Sequence, residues 1–183
     1  MMNRTKWLFA VLMLAGATCA LAQGHSSPGV AQIVALDECD PRTFNFDVPS
    51  GMGADFCKNV ALFGRTTFGD LLIEVSQGQP DPKWAFVPDT LTVDEGTILS
   101  VVDQGGEPHT FTEVAEFGGG FLVVFNAPGE ETAPECSGGF TNAAVAKTRI
   151  LQGSTSLVTG LSKGTHHFQC CIHPWMRMDV QVK

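Results

Sequence analysis

From Leu71 to the C-terminus the chain runs in short apolar or alternating stretches, each closed by Gly, Pro or Asp, and this rhythm restricts the fold more than any other feature. A helix shows itself by a 3.6-residue period sustained over ten or more residues, and these stretches stop before that. The runs expected as strands are Leu71–Val75, Trp84–Val87, Thr90–Val93, Ile98–Val102, His109–Thr112, Phe121–Phe125, Thr148–Leu151, Ser156–Val158, His166–Cys171 and Met178–Val182. Short strands at this spacing imply an all-β fold, a two-sheet antiparallel Greek-key sandwich. Asn126–Asn142, broken by Pro128 and Pro134, reads as a long surface loop. Gly118-Gly119-Gly120 reads as a flexible turn and not a phosphate loop, because neither Lys-Ser/Thr nor a helix follows it.

Upstream the pattern changes. Arg4 and Lys6 precede an apolar run, Trp7–Leu14, and Ala20-Leu21-Ala22 has the small-x-small form of a cleavage site. Residues 1–22 are therefore expected to be a secretory signal, too short in its apolar part to span a bilayer. Residues 23–68 read as an N-terminal extension with a disordered start that contains His25 and with one short helix over Ala54–Phe63. Residues 69–183 form the expected sandwich domain. The protein is then periplasmic or extracellular, with no transmembrane segment once the signal is removed.

Removal of residues 1–22 leaves 9 basic against 19 acidic residues, a net charge of −10. Such a surface repels nucleic acid and anionic lipid and would attract a basic protein partner. Five cysteines remain: Cys39, Cys57, Cys136, Cys170 and Cys171. An odd number in an oxidising compartment leaves one thiol outside any disulfide.

The strand around His166–Cys171 identifies that thiol. Alternation places His166, Phe168 and Cys170 on one face and His167, Gln169 and Cys171 on the other. Phe168 marks the first face as interior, so Cys170 is expected to point inward, with His166 as a hydrogen-bonded core residue. Cys171 points outward. The other four cysteines allow three connectivities. Cys39–Cys57 is expected because the two are close in sequence, and Cys136–Cys171 because it would tie the long loop to the outer face of the strand.

Cys170-Cys171-Ile172-His173-Pro174-Trp175-Met176 supplies a thiolate, an imidazole and a thioether within one loop. A soft thiolate suits Cu(I), imidazole suits both copper states, and a weak axial thioether completes the blue-copper His₂Cys arrangement. A second imidazole is then required, and His109, after Gly-Gly-Glu-Pro, is the candidate. Met178 competes with Met176, but it begins the alternation Met178-Val180-Val182 and reads as core. The expected ligands of one type 1 copper are His109, Cys170, His173 and Met176.

The spacing Cys-x-x-His-x-x-Met, followed by Arg177, resembles the ligand loop of the amicyanin and plastocyanin-like cupredoxins. Phe86–Thr97, Pro108-His109 and Gly164–Cys170 are similar to the family's strand pair, first ligand and approach strand. The resemblance covers roughly Leu71 to Lys183. It implies a monomeric electron carrier between protein redox partners, without enzymatic activity. Thr110 and Asp103 stand where many relatives have Asn, which removes the usual brace of the Cys loop from the expected set. A multicopper enzyme would need further His-x-His pairs, and a copper-delivery protein or sensor would favour Met-rich or His-rich tracts. For a carrier, His173 is expected to reach the surface by its far edge, within an apolar patch made by Pro174 and Trp175.

Overall fold

The structure, a computed structural model, describes residues 29–58 and 65–183. The expected signal sequence, residues 1–22, and His25 lie outside the described residues.

Ten strands are found among the described residues: β1 Val30–Leu36, β2 Ala85–Val87, β3 Thr90–Val93, β4 Ile98–Asp103, β5 His109–Thr110, β6 Thr112–Val114, β7 Arg149–Ile150, β8 Thr155–Val158, β9 Gly164–Gln169 and β10 Arg177–Val182. One four-stranded sheet has the order β2-β1-β4-β8, a second β3-β10-β9-β6, and β5 pairs with β7. The inner faces meet in one core. Ile33 and Ala35 of β1, Phe86 of β2 and Leu99 and Val101 of β4 face Phe168 of β9 and Met178, Val180 and Val182 of β10. Phe111 links the two sheets, stacked on Phe168 at 4.3 Å and edge-on to Phe86 at 5.0 Å.

Both large sheets are mixed, which corrects the antiparallel expectation. β1 runs parallel to β4, and β3 runs parallel to β10. The first of these pairs also revises the reading of residues 23–68 as an extension. β1 lies between β2 and β4 inside the first sheet, with Ile33 and Ala35 fully buried.

Three other local expectations change. Leu71–Val75 is not a strand but part of a helix, α2, which follows the short helix α1, Pro41–Phe44, and spans Phe68–Ser76. Phe68, Leu71 and Val75 recur every three or four residues and are its buried side chains. Thr67 caps it: its hydroxyl accepts the Asp70 N–H at 3.1 Å and donates to the Asp70 carboxylate at 2.7 Å. The expected helix over Ala54–Phe63 is absent from Ala54–Lys58, which forms turns and bends, and the rest of it lies outside the described residues. Phe121–Phe125 is a loop ending in a 3₁₀ turn, Val123–Phe125, which exposes Val123 and Val124 and buries Phe125. The long loop after it carries a third helix, α3, Ala143–Lys147.

The disulfides are Cys39–Cys57 and Cys136–Cys171, as expected. Among the described residues the free cysteine is Cys170, and it is buried.

Candidate metal centre

The strand β9 ends at Gln169, so Cys170 is the first residue of the loop that returns to β10. Two backbone hydrogen bonds close that loop: Cys170 N–H to Met176 O and Met176 N–H to His173 O, both 3.0 Å. The turn brings His173 back over Cys170. His109 arrives from the other side, as the first residue of β5.

Three donor atoms meet there. Cys170 Sγ is 3.8 Å from His109 Nδ1 and 3.9 Å from His173 Nδ1, and the two Nδ1 atoms are 3.3 Å apart. All three residues have no solvent exposure. Bond lengths of ~2.0 Å to imidazole and ~2.3 Å to thiolate put the donors of a three-ligand site between 3 and 4 Å apart, so this triangle has the size a first-row metal requires. The donor chemistry, one thiolate with two imidazoles, is that of blue copper.

Met176 is buried in the same loop, ahead of β10, whereas Met178 lies within that strand and pairs with Phe168 in the core. Two other clusters of potential ligands overlap this one. Asp37, Asp103 and His109 share an imidazole with it, and Asp37, Cys39 and Glu107 include a cysteine already committed to a disulfide.

The sulfur is held by backbone donors. Thr110 N–H reaches it at 3.4 Å and His173 N–H at 3.5 Å. The Thr110 hydroxyl accepts the Cys171 N–H at 2.7 Å, so the loop has a brace, which was missing from the expected set. Gly120 also packs against the loop: a Cβ there would lie 2.3 Å from the Cys171 carbonyl oxygen. Arg177 donates to Pro174 O at 2.8 Å, binds Glu130 and covers the Phe117 ring, which pins the far end of the loop.

Electrostatics at the centre are strong. Burial disfavours a charged Cys170, but hydrogen bonds with His109 and His173 outweigh it, and the thiol stands well below its ordinary value. Burial likewise disfavours a charged His109, yet Asp37 and Cys170 hold its pKa well above the usual range. His173 is raised to about 9, against burial, by Glu107 and Cys170. Without metal the thiolate is thus paired with two imidazolium groups, and binding a metal must displace a proton from each imidazole, which makes affinity rise with pH. Burial pushes Asp103 up to about 7, and one of its oxygens accepts the Gly105 N–H at 2.9 Å.

Two expectations about side chains fail here. His173 does not reach the surface: it and Pro174 are buried, and the Phe125 ring covers His173 at 5.4 Å. Of the expected patch, Trp175 alone is partly exposed. His166 lies on the interior face as expected, but at the edge of the core, only partly buried and paired with Glu113 at 2.6 Å. Sequence reading missed Asp37 and Glu107, whose carboxylates touch the two histidines. No motif marks them; Asp37 lies in the acidic run between β1 and α1, and Glu107 stands two residues before His109.

No family model matches the chain, and no curated protein matches it. Among solved structures the chain is similar to a novel purple cupredoxin from Nitrosopumilus maritimus, at 16% identity over 84% of this chain and 99% of that one, with a TM-score of 0.42. It is similar to the oxidized plastocyanin of Dryopteris crassirhizoma at 14% identity, over 84% of this chain and 100% of that one, with a TM-score of 0.38. For a copper(I) amicyanin variant the values are 18%, 55%, 75% and 0.36. At these TM-scores, any reading of the site rests on the chain's own residues.

Proposed function

We propose that this chain is an exported cupredoxin-type protein that binds one copper ion and carries one electron at a time between protein redox partners. The observation that carries the reading is the buried triangle of Cys170 Sγ, His109 Nδ1 and His173 Nδ1. Met176, in the same loop, is the proposed axial donor. Copper supplies the redox change, from Cu(II) to Cu(I), at a thiolate and imidazoles that both states accept.

The residues around the donors favour a carrier over an enzyme. Each proposed donor comes from the protein and is fully buried, with the Phe125 ring and the Glu107 carboxylate packed against His173, which favours a metal closed to substrate. The donors are also held by hydrogen bonds that do not depend on the metal, which keeps rearrangement between redox states small. Export fits the two disulfides and the unpaired Cys170, because a metal-bound thiol is protected in an oxidising compartment. Among the described residues no helix is long and apolar enough to cross a membrane.

The test is the visible spectrum of the oxidised, copper-loaded protein. One equivalent of copper should produce an intense thiolate-to-copper(II) band, and Cys170→Ser should abolish it. Stoichiometry above one, or colour that survives in Cys170→Ser, would overturn the reading. Amino-terminal sequencing of the secreted protein should begin at Gln23.

A further inference from the structure

Each ligand imidazole turns Nδ1 toward the triangle, so each Nε2 points away from it and must be satisfied elsewhere. Both meet a carboxylate. His109 Nε2 is 3.0 Å from Asp37 Oδ2, and His173 Nε2 is 2.8 Å from Glu107 Oε2. The first contact is a well-directed hydrogen bond. The second is short but lies off the N–H line, so it is an ion-pair contact, and Glu107 keeps both oxygens free of straight hydrogen bonds. None of the four side chains has any solvent exposure.

The fold invests heavily in Asp37. Its Oδ1 accepts the Cys39 N–H at 3.2 Å and its Oδ2 the Glu107 N–H at 2.9 Å, in addition to His109. A Cβ on Gly105 would fall 1.9 Å from Oδ2, so the loop can pass Asp37 only with glycine there. Cys39, two residues on, is bonded to Cys57, and Lys58 N–H reaches Gly106 O at 2.8 Å. Burying a carboxylate costs several kcal/mol unless partners compensate it, and this one is given three donors, one from its own turn and two from the segment Glu107–His109.

We infer that Asp37 and Glu107 are the positioning residues of the copper centre, and that β1 is part of the domain because it delivers Asp37 to His109. The inference rests on the copper reading above. A carboxylate hydrogen-bonded to Nε2, as Asp37 is to His109, fixes the tautomer and the ring and leaves Nδ1 for the metal, while Glu107 acts on His173 through its charge at 2.8 Å. Two anions beside one thiolate also neutralise the +2 ion better than the +1 ion, so they hold copper in the oxidised state and lower the reduction potential.

Asp37→Asn, Asp37→Ala and Glu107→Gln test this, each compared with wild type for copper(I) and copper(II) affinity, reduction potential, visible spectrum and, in the metal-free protein, histidine ¹⁵N shifts. Asp37→Asn keeps an oxygen for Nε2–H but loses the charge. It should retain the colour while copper(II) affinity falls on the order of 10-fold relative to copper(I), which raises the potential by ~59 mV for a one-electron couple. Glu107→Gln should shift it in the same direction. Asp37→Ala should also release the His109 ring, seen as a lost Nε2–H hydrogen-bond shift without metal and a broadened or split spectrum with it. If Asp37→Ala does not fold, Asp37→Asn and Glu107→Gln still decide the outcome. Unchanged potentials in both of these overturn the inference while leaving the copper reading intact; a wild-type protein without a thiolate–copper band removes the copper reading itself.

Discussion

Cys170 and Cys171 are adjacent and meet opposite fates, and the reason lies in single atoms. At the end of β9 one sulfur enters the core side, where Thr110 and His173 direct backbone N–H groups at it. The other is bonded to Cys136 in a second small cluster with Val114, Ala133 and Val145. Both are fully buried, so burial does not separate them; the face of the strand does. Thr110 serves both, through its N–H to one sulfur and its hydroxyl to the next residue's N–H. Thr110→Val should keep the shape and remove the acceptor, leaving a buried N–H unpaired. Stability should fall by about 1–3 kcal/mol in denaturant titration, with altered colour in the copper-loaded protein. The methionines separate in the same way. Met178→Leu replaces a core side chain by one of similar volume and should cost under about 1.5 kcal/mol with the potential unchanged. Met176→Leu should raise the potential and keep copper bound, because a weak axial donor is lost. The reverse pattern in voltammetry would move the axial ligand to Met178.

At the scale of elements, β6 and β9 are coupled by a group that titrates. His166 Nδ1 is 2.6 Å from Glu113 and its Nε2 is 2.8 Å from Ser162 O. Both partners are acceptors, so only the doubly protonated ring satisfies them. The pKa of His166 is raised, chiefly by Glu113. The stabilisation is therefore complete below the unfolded value of ~6.5 and is lost as pH rises through the folded value. Because Glu113 is half exposed, the effect should stay below about 1 kcal/mol. Thermal unfolding of wild type should show this fall on the alkaline side, and His166→Gln should abolish it. Elements were legible in the sequence where one face is wet. β3 and β10 alternate cleanly, and their expected ends agree with the structure to within a residue. The strand β1 is central in its sheet, with Val34 apolar between Ile33 and Ala35, so alternation is masked and it passed as irregular. The helix α2 hid for a related reason: Leu71–Val75 is as apolar as a strand, and only its cap at Thr67 and the earlier Phe68 reveal the helical period. The ligand loop was legible because its chemistry is local, within seven residues. Asp37 was not, because it meets His109 across 72 residues of chain.

For the whole molecule the question is where an electron would leave. With His173 sealed by Phe125, Glu107 and Pro174, the exposed-histidine route is closed. The ring next to it is Trp175, at 5.5 Å from His173 and 5.9 Å from Phe125. It is partly exposed and lines an open cleft of about 230 Å³ with Val75 and Pro80. The elements that supply Val75 and Phe125 to that cleft also expose apolar side chains, Ile73 on α2 and Val123 and Val124 in the covering loop. A small apolar face on a strongly acidic protein suits brief docking, with charge setting the encounter rate and little holding the complex. Trp175→Ala should leave copper stoichiometry and colour intact and slow electron exchange with a small redox protein. Phe125→Ala should do the opposite by uncovering His173: exchange should quicken, while stability falls by about 3–5 kcal/mol from the cavity left in the core. Stopped-flow exchange at two ionic strengths separates the contributions. Added salt should slow exchange with a basic partner equally in wild type and both variants, because net charge acts over the whole surface. If Trp175→Ala exchanges as fast as wild type while Phe125→Ala is faster, the electron crosses the covering loop, and Trp175 serves only to pack it.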